Sequence, residues 1–140
     1  MWRWAGADGT APNTFGDPMT GTTSSLCIYD RQAGVPQLTA EFTVGPGGNW
    51  IRRASGFAYR NRNGNAEGVT NVRVAASAGG RTRLALSARG ALDLPATGAN
   101  GGMFSQDPDV TAQLVNDSSG CWEAHYDEPR RNDAAMFVGR

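Results

Sequence analysis

The sequence predicts an all-β domain, an antiparallel β-sandwich or jelly roll of about eight or nine strands. Three observations carry this expectation. Apolar residues recur at every second position in most runs, the period of a strand with one buried face. Nineteen glycines and seven prolines among 140 residues, together with many asparagines, interrupt those runs at short intervals, which is the composition of tight turns. No segment sustains an apolar period of 3.6, so no amphipathic helix is expected. The length suits a single domain over residues 1–140 with a core of its own. Apolar content is 39%, below the usual ~45–50%, as expected where turns take a large share of the chain.

MWRWAG (1–6) reads as a first strand, with Trp2 and Trp4 on one face and Arg3 on the other. Residues 7–21 are turn-rich and read as a long loop. SSLCIYD (24–30) is a strand whose Leu26 and Ile28 face the core, with Ser25, Cys27 and Tyr29 opposite. QAGVP (32–36) is a turn. LTAEFTV (38–44) alternates, with Leu38, Ala40, Phe42 and Val44 expected inside. GPGGN (45–49) is a tight loop. WIRRASGFAYR (50–60) reads as one longer strand, bent or bulged at Gly56. NRNGNAEG (61–68) contains Asn-Gly, a strong hairpin signal, and GVTNVRVAA (68–76) pairs back with Val72 and Val74 inside. After the SAGG turn (77–80), RTRLALSARG (81–90) places Leu84, Leu86 and Ala88 inside and Arg83, Ser87 and Arg89 outside. Residues 94–109 form a second long loop. VTAQLVN (110–116), a turn over 116–120 and CWEAHYD (121–127) make a further hairpin, and AAMFVGR (134–140) is a short last strand.

Charge and motifs exclude several function classes. Thirteen basic and thirteen acidic residues give a formal net charge of zero, so overall charge indicates neither nucleic acid nor an anionic membrane as partner. No run is long and apolar enough for membrane insertion by a helix. Every basic residue is arginine, which removes lysine Schiff-base and lysine general-base chemistry. Nucleotide-binding glycine loops, Gly-x-Ser-x-Gly and His-Glu-x-x-His are absent from the sequence. No cofactor or catalytic residue is therefore expected.

Cys27 and Cys121 sit in strand-like runs near opposite ends of the chain. They do not form a Cys-x-x-Cys motif, and two thiolates with one distant histidine make a poor zinc site. Their parity places both off the main core, Cys27 with Ser25 and Tyr29, Cys121 with Glu123 and His125. An off-core cysteine is more simply explained as half of a disulfide than as an inert buried thiol, free thiols being the alternative. A Cys27–Cys121 disulfide would point to an oxidising, extracytoplasmic compartment. MWRWAGADG has no apolar leader segment, so secretion is inferred without a visible signal.

Other candidate sites are weaker. His125 and Cys121 lie four positions apart on one strand, ~13 Å at 3.3 Å per residue, too far for a Cys–His pair. Asn61, Asn63, Asn65 and Glu67 alternate oxygen ligands as a calcium loop does, but with one carboxylate the pattern reads as a hairpin turn. Asp107 and Asp109 read as loop residues, and no metal is expected. Trp122 and one of Trp2 or Trp4 are expected in the core. Trp50, following a glycine loop, is the candidate for partial exposure and for stacking on a sugar.

Several runs together resemble a family of predicted secreted all-β domains from environmental bacteria. They are FGDP (15–18) leading to LCIYD (26–30), GGNW (47–50), GFAYRNRNGNAEGVTNVRV (56–74), LALSARG (84–90), VTAQLVN (110–116), GCWEAHYD (120–127) and NDAAMF (132–137). The family often carries lysine where this chain has arginine. The resemblance spans nearly the whole chain and implies secretion and a Cys27–Cys121 bridge, but brings no catalytic residue with it. The expectation is an extracellular or cell-surface binding or structural module without enzymatic activity. Its indicated partners are a glycan, as in a carbohydrate-binding module, or further copies of the chain. Self-assembly would use the N-terminal strand, with Trp2 and Trp4, added to a neighbour's sheet edge.

Overall fold

The computed structural model describes residues 1–6, 9–76, 80–89, 107–133 and 136–139. Two antiparallel sheets pack face to face. The first contains β1 (Trp2–Gly6), β4 (Trp50–Arg53), β5 (Gly56–Arg60), β6 (Val69–Ala76) and β7 (Thr82–Ala88), in the order β1-β7-β6-β5-β4. The second contains β2 (Ser24–Gln32), β3 (Val35–Val44), β8 (Val110–Asn116) and β9 (Cys121–Tyr126), in the order β3-β2-β8-β9. A separate hairpin joins β10 (Arg131–Asp133) to β11 (Met136–Val138). The all-β sandwich expected from the sequence is the observed fold.

Strand alternation builds the core. Val72, Val74, Leu84, Leu86, Phe57 and Tyr59 from the first sheet meet Leu26, Ala40, Phe42, Val44, Leu114 and Trp122 from the second, all buried. Each large side chain removed from water contributes roughly 1.5–3 kcal/mol. A 3-10 turn over Pro12–Phe15 lies in the long N-terminal loop and drops Phe15 onto Trp122, with ring centroids 5.4 Å apart. The Trp122 indole N–H donates to Thr10 Oγ1 at 3.0 Å, and Trp4 Nε1 donates across the sandwich to the Glu123 carbonyl at 2.8 Å. The N-terminal strand is thus part of the chain's own sheet, paired with β7 from Trp2 to Gly6.

Three local expectations are corrected. Residues 50–60 are two strands, since Arg53 pairs with Gly56 across an Ala54–Ser55 turn. Gly56 is held at φ 151°, and a Cβ there would stand 2.1 Å from the Val74 carbonyl oxygen, so only glycine lets β5 lie against β6 at this point. Leu38 is exposed, not inside. The β2–β3 register shifts between Ile28 and Tyr29, which pairs Leu38 with outward-facing Tyr29; one extra residue flips every side chain beyond it to the other face. The last strand is half of a hairpin whose first half, β10, the sequence pattern did not reveal. Most of the expected loop over 94–109, and most of the SAGG turn, lie outside the described residues.

Candidate functional site

The solvent face of the first sheet carries an array of arginines. Alternation that buries Trp2, Tyr59, Val72, Val74, Leu84 and Leu86 sends Arg3, Arg60, Arg73 and Arg83 outward, and Arg53 with them; all five are exposed. Register keeps them apart. Arg3 and Arg73 both face Ala85, Arg83 faces Ala5 and Ala75, Arg53 faces Gly56, and Arg60 faces Asn71. No two guanidinium groups are directly opposite, the placement that destabilises most. Four of them are diagonal neighbours instead. Arg3, Arg83, Arg73 and Arg60 step across β1, β7, β6 and β5 in strand order, each ~7–8 Å from the next.

No Asp or Glu occurs in any strand of this sheet. None of Arg3, Arg53, Arg60, Arg73 and Arg83 pairs with a carboxylate among the described residues. Arg52 differs from these five: it lies over the Phe57 ring at 4.8 Å and pairs with Asp17 at 3.4 Å. The nearby acid in the β5–β6 connection, Glu67, is turned away, its carboxylate accepting the Thr43 N–H of the second sheet.

The array runs into a groove of about 650 Å³ lined by Arg60, Asn61, Arg62, Thr70, Asn71 and Arg89. The β5–β6 connection shapes it. Asn61 Oδ1 accepts the Asn63 N–H at 3.0 Å, and Gly64 and Gly68 take φ 63° and 74° to fold the loop back. The Arg89 N–H donates to the Gly68 carbonyl at 3.1 Å, which brings Arg89 beside the hairpin base. A register shift between Val69 and Asn71 adds Thr70 to the wall; its hydroxyl donates to the Ser87 carbonyl at 3.3 Å. Arg60 and Arg62 from the end of β5 and its loop, and Arg89 from beyond β7, thus line the groove together with amide and hydroxyl groups.

The Asn61–Glu67 segment is consequently a structured turn. Its one carboxylate is already bonded to Thr43, and no group of three or more metal-binding side chains occurs among the described residues. Asp107 Oδ1 accepts the Asp109 N–H at 3.1 Å, and Asp109 pairs with Arg31. Trp50, expected to be partly exposed, is 2% exposed. The glycine loop before it does not open the ring to solvent, because the Gly45 carbonyl accepts the indole N–H at 3.0 Å. The ring packs on Tyr59, 5.3 Å between centroids. Trp50 and Tyr59 form the base of a smaller pocket of about 270 Å³, rimmed by Asn49, Asn61 and Asn65. Trp50 is therefore no stacking platform.

The solvent face of the second sheet collects the remaining sequence candidates. Register aligns Glu41, Cys27, Gln113 and Glu123 in one row, and Leu38, Tyr29, Thr111 and His125 in the next. The expected Cys27–Cys121 disulfide is corrected here. Both thiols are free. Cys27 is on β2 and Cys121 on β9, with β8 between them. Two strand spacings, ~9.5 Å, exceed the ~7 Å a disulfide spans between Cα atoms. Burial, and then the charge of Glu41, push the Cys27 thiol up, and burial does the same to the Tyr29 phenol. Neither is an activated nucleophile.

His125 Nδ1 meets the Thr111 hydroxyl at 3.0 Å, and its Nε2 meets Glu123 Oε1 at 2.5 Å. Hydroxyl, imidazole and carboxylate follow in the order of an acyl-transfer triad. They stand, however, on the solvent face of paired β8 and β9, where His125 and Glu123 are exposed. The Glu123 carboxylate also accepts from Gln113, which holds it below the usual range.

Sequence parity had placed Arg3, Arg83 and Arg89 outward one at a time. What it missed was the array, whose signal was available: outward arginines in successive strands with alanine, glycine or asparagine opposite, and no acid among them. The zero net charge conceals this segregation. No protein-family model, curated protein or solved structure gives a significant match to the chain.

Proposed function

We propose that the chain is a secreted or cell-surface binding module, without catalytic activity, that holds an anionic ligand on the solvent face of its first sheet. The observation that carries this reading is the run of Arg3, Arg83, Arg73 and Arg60 on adjacent strands with no carboxylate in the sheet. Guanidinium groups with no carboxylate partner among the described residues create a positive field on one face that net charge does not register. Their planar donors suit carboxylate, sulfate and phosphate groups.

The test is retention on a sulfonate cation exchanger at pH 7, where the formal net charge is zero. The intact protein is expected to bind at low salt and elute as salt rises. The variant with Arg73→Gln and Arg83→Gln is expected to pass through much earlier, with its thermal melt unchanged. Flow-through of the intact protein at low salt would overturn the reading.

A further inference from the structure

We infer that the ligand is a linear acidic polysaccharide, and that the groove at the base of the β5–β6 hairpin seats one of its charged sugars. The inference rests on the anion-binding reading above. A small anion could meet only one or two members of the arginine row. A linear polymer with regularly repeated charges meets several at once, and each further contact is made at high effective concentration. The row leads from Arg3 through Arg83 and Arg73 to Arg60, and Arg60 is itself a wall of the groove. Track and groove are one continuous surface.

The groove has the contents a charged sugar needs. At about 650 Å³ it lies within the ~300–1,000 Å³ of small-molecule sites. Arg60, Arg62 and Arg89 offer forked donors for a carboxylate or sulfate. The Asn71 carboxamide is exposed and has no hydrogen-bond partner among the described residues. The Thr70 hydroxyl, donating to Ser87, can still accept. Amide and hydroxyl groups beside guanidinium groups match a ring that carries both hydroxyls and an acid.

The same face argues against nucleic acid. Sheets that bind single strands stack bases on exposed aromatic rings. Here Trp2, Trp50, Phe57 and Tyr59 are all buried on the inner face. Among the outward arginines stand alanines, Ile51, Gly56, Asn71 and Ser87, none of them aromatic.

The intact protein is titrated calorimetrically at physiological salt with oligogalacturonate, chondroitin sulfate oligomers, neutral dextran and oligo(dT), the charged probes matched in number of charges. At least one acidic oligosaccharide is expected to bind, more tightly as its length increases, and dextran not at all. The two acidic sugars separate carboxylate from sulfate recognition. The variant with Arg62→Gln and Arg89→Gln, which leaves the outer row intact, is expected to lose about tenfold or more in affinity with an unchanged melt. The inference is overturned if oligo(dT) binds as tightly as either sugar, or if this variant binds like the intact protein. If neither sugar binds while the cation exchanger still retains the protein, the inference fails and the anion-binding reading stands. Loss of both overturns both.

Discussion

The two solvent faces of the sandwich are built by the same alternation and treat their polar groups in opposite ways. On the second sheet the groups satisfy one another: Ser25 with Thr43 at 2.9 Å, Thr111 with His125 at 3.0 Å, His125 with Glu123, and Glu123 with Gln113. On the first sheet the arginines have alanine, glycine or asparagine opposite them and no acid in any strand. The cost of that arrangement is small. Two like charges separated by as much as the ~7–8 Å between diagonal residues repel by roughly 0.5 kcal/mol in water, less with salt. A fold can carry a few such pairs easily, while the field they produce adds up over the face. A self-satisfied face closes its hydrogen-bonding capacity, and an unsatisfied one leaves it for a ligand.

The comparison depends on a common core beneath both faces, and the largest expected effect is there. Leu86→Ala, at a residue 3% exposed, should lower unfolding free energy by roughly 2–5 kcal/mol in urea melts. A small loss would show that the strand parity behind both faces is wrong.

The closed face is sharpened by its thiols. In denaturant without reductant, alkylation should label both Cys27 and Cys121, as their free state requires. In the folded protein Cys121, exposed, should react well before Cys27, which is buried and whose thiol burial pushes up. An unlabelled pair would mean a bridge and a different β2–β9 arrangement.

A smaller effect concerns Glu123. Its carboxyl lies below the ordinary value of 4.5, chiefly because Gln113 donates to it and then because of His125. A depressed carboxylate contributes stability that is present above the ordinary value and is lost as pH falls through the lowered one. Glu123→Gln should therefore flatten the acid limb of the stability curve, read from thermal melts below pH 4.5. An unchanged limb would show that the network does not persist in solution.

The smallest effect belongs to the open face. Arg83→Ala should change stability by no more than about 0.5 kcal/mol, since nothing in the sheet pairs with it and its removal relieves repulsion. A large loss would mean that the array is structural and not a surface held for a ligand.

Much of this was legible in the sequence, for local reasons. β6 from Asn71 onward, and β7, follow a period of two around buried valines and leucines, so Val72, Val74, Leu84 and Leu86 are read correctly from pattern alone. The 110–127 hairpin follows from its Asn-Asp-Ser-Ser-Gly turn. What failed was set by pairings and contacts that the alternation within a strand does not record. The shift that turns Leu38 outward lies in the β2–β3 pairing and leaves no mark in either strand's alternation. Trp50 is buried because a carbonyl five residues earlier folds back to its indole. Cys27 and Cys121 share an outward face as parity implied, but β8 between their strands follows only from the sheet order. The arginine row has the same origin: β1, β7, β6 and β5 are neighbours in space, and no single stretch of sequence contains the row.

Glu67 takes the left-handed conformation, φ 48°, and gives its carboxylate to the Thr43 N–H on β3. β3 is the outermost strand of its sheet. Open edges of this kind recruit strands from other molecules and begin aggregates. With a formal net charge of zero, copies of this chain lack the mutual repulsion that keeps many proteins dispersed. The carboxylate occupies a donor that an incoming strand would need and sets a charge in its path.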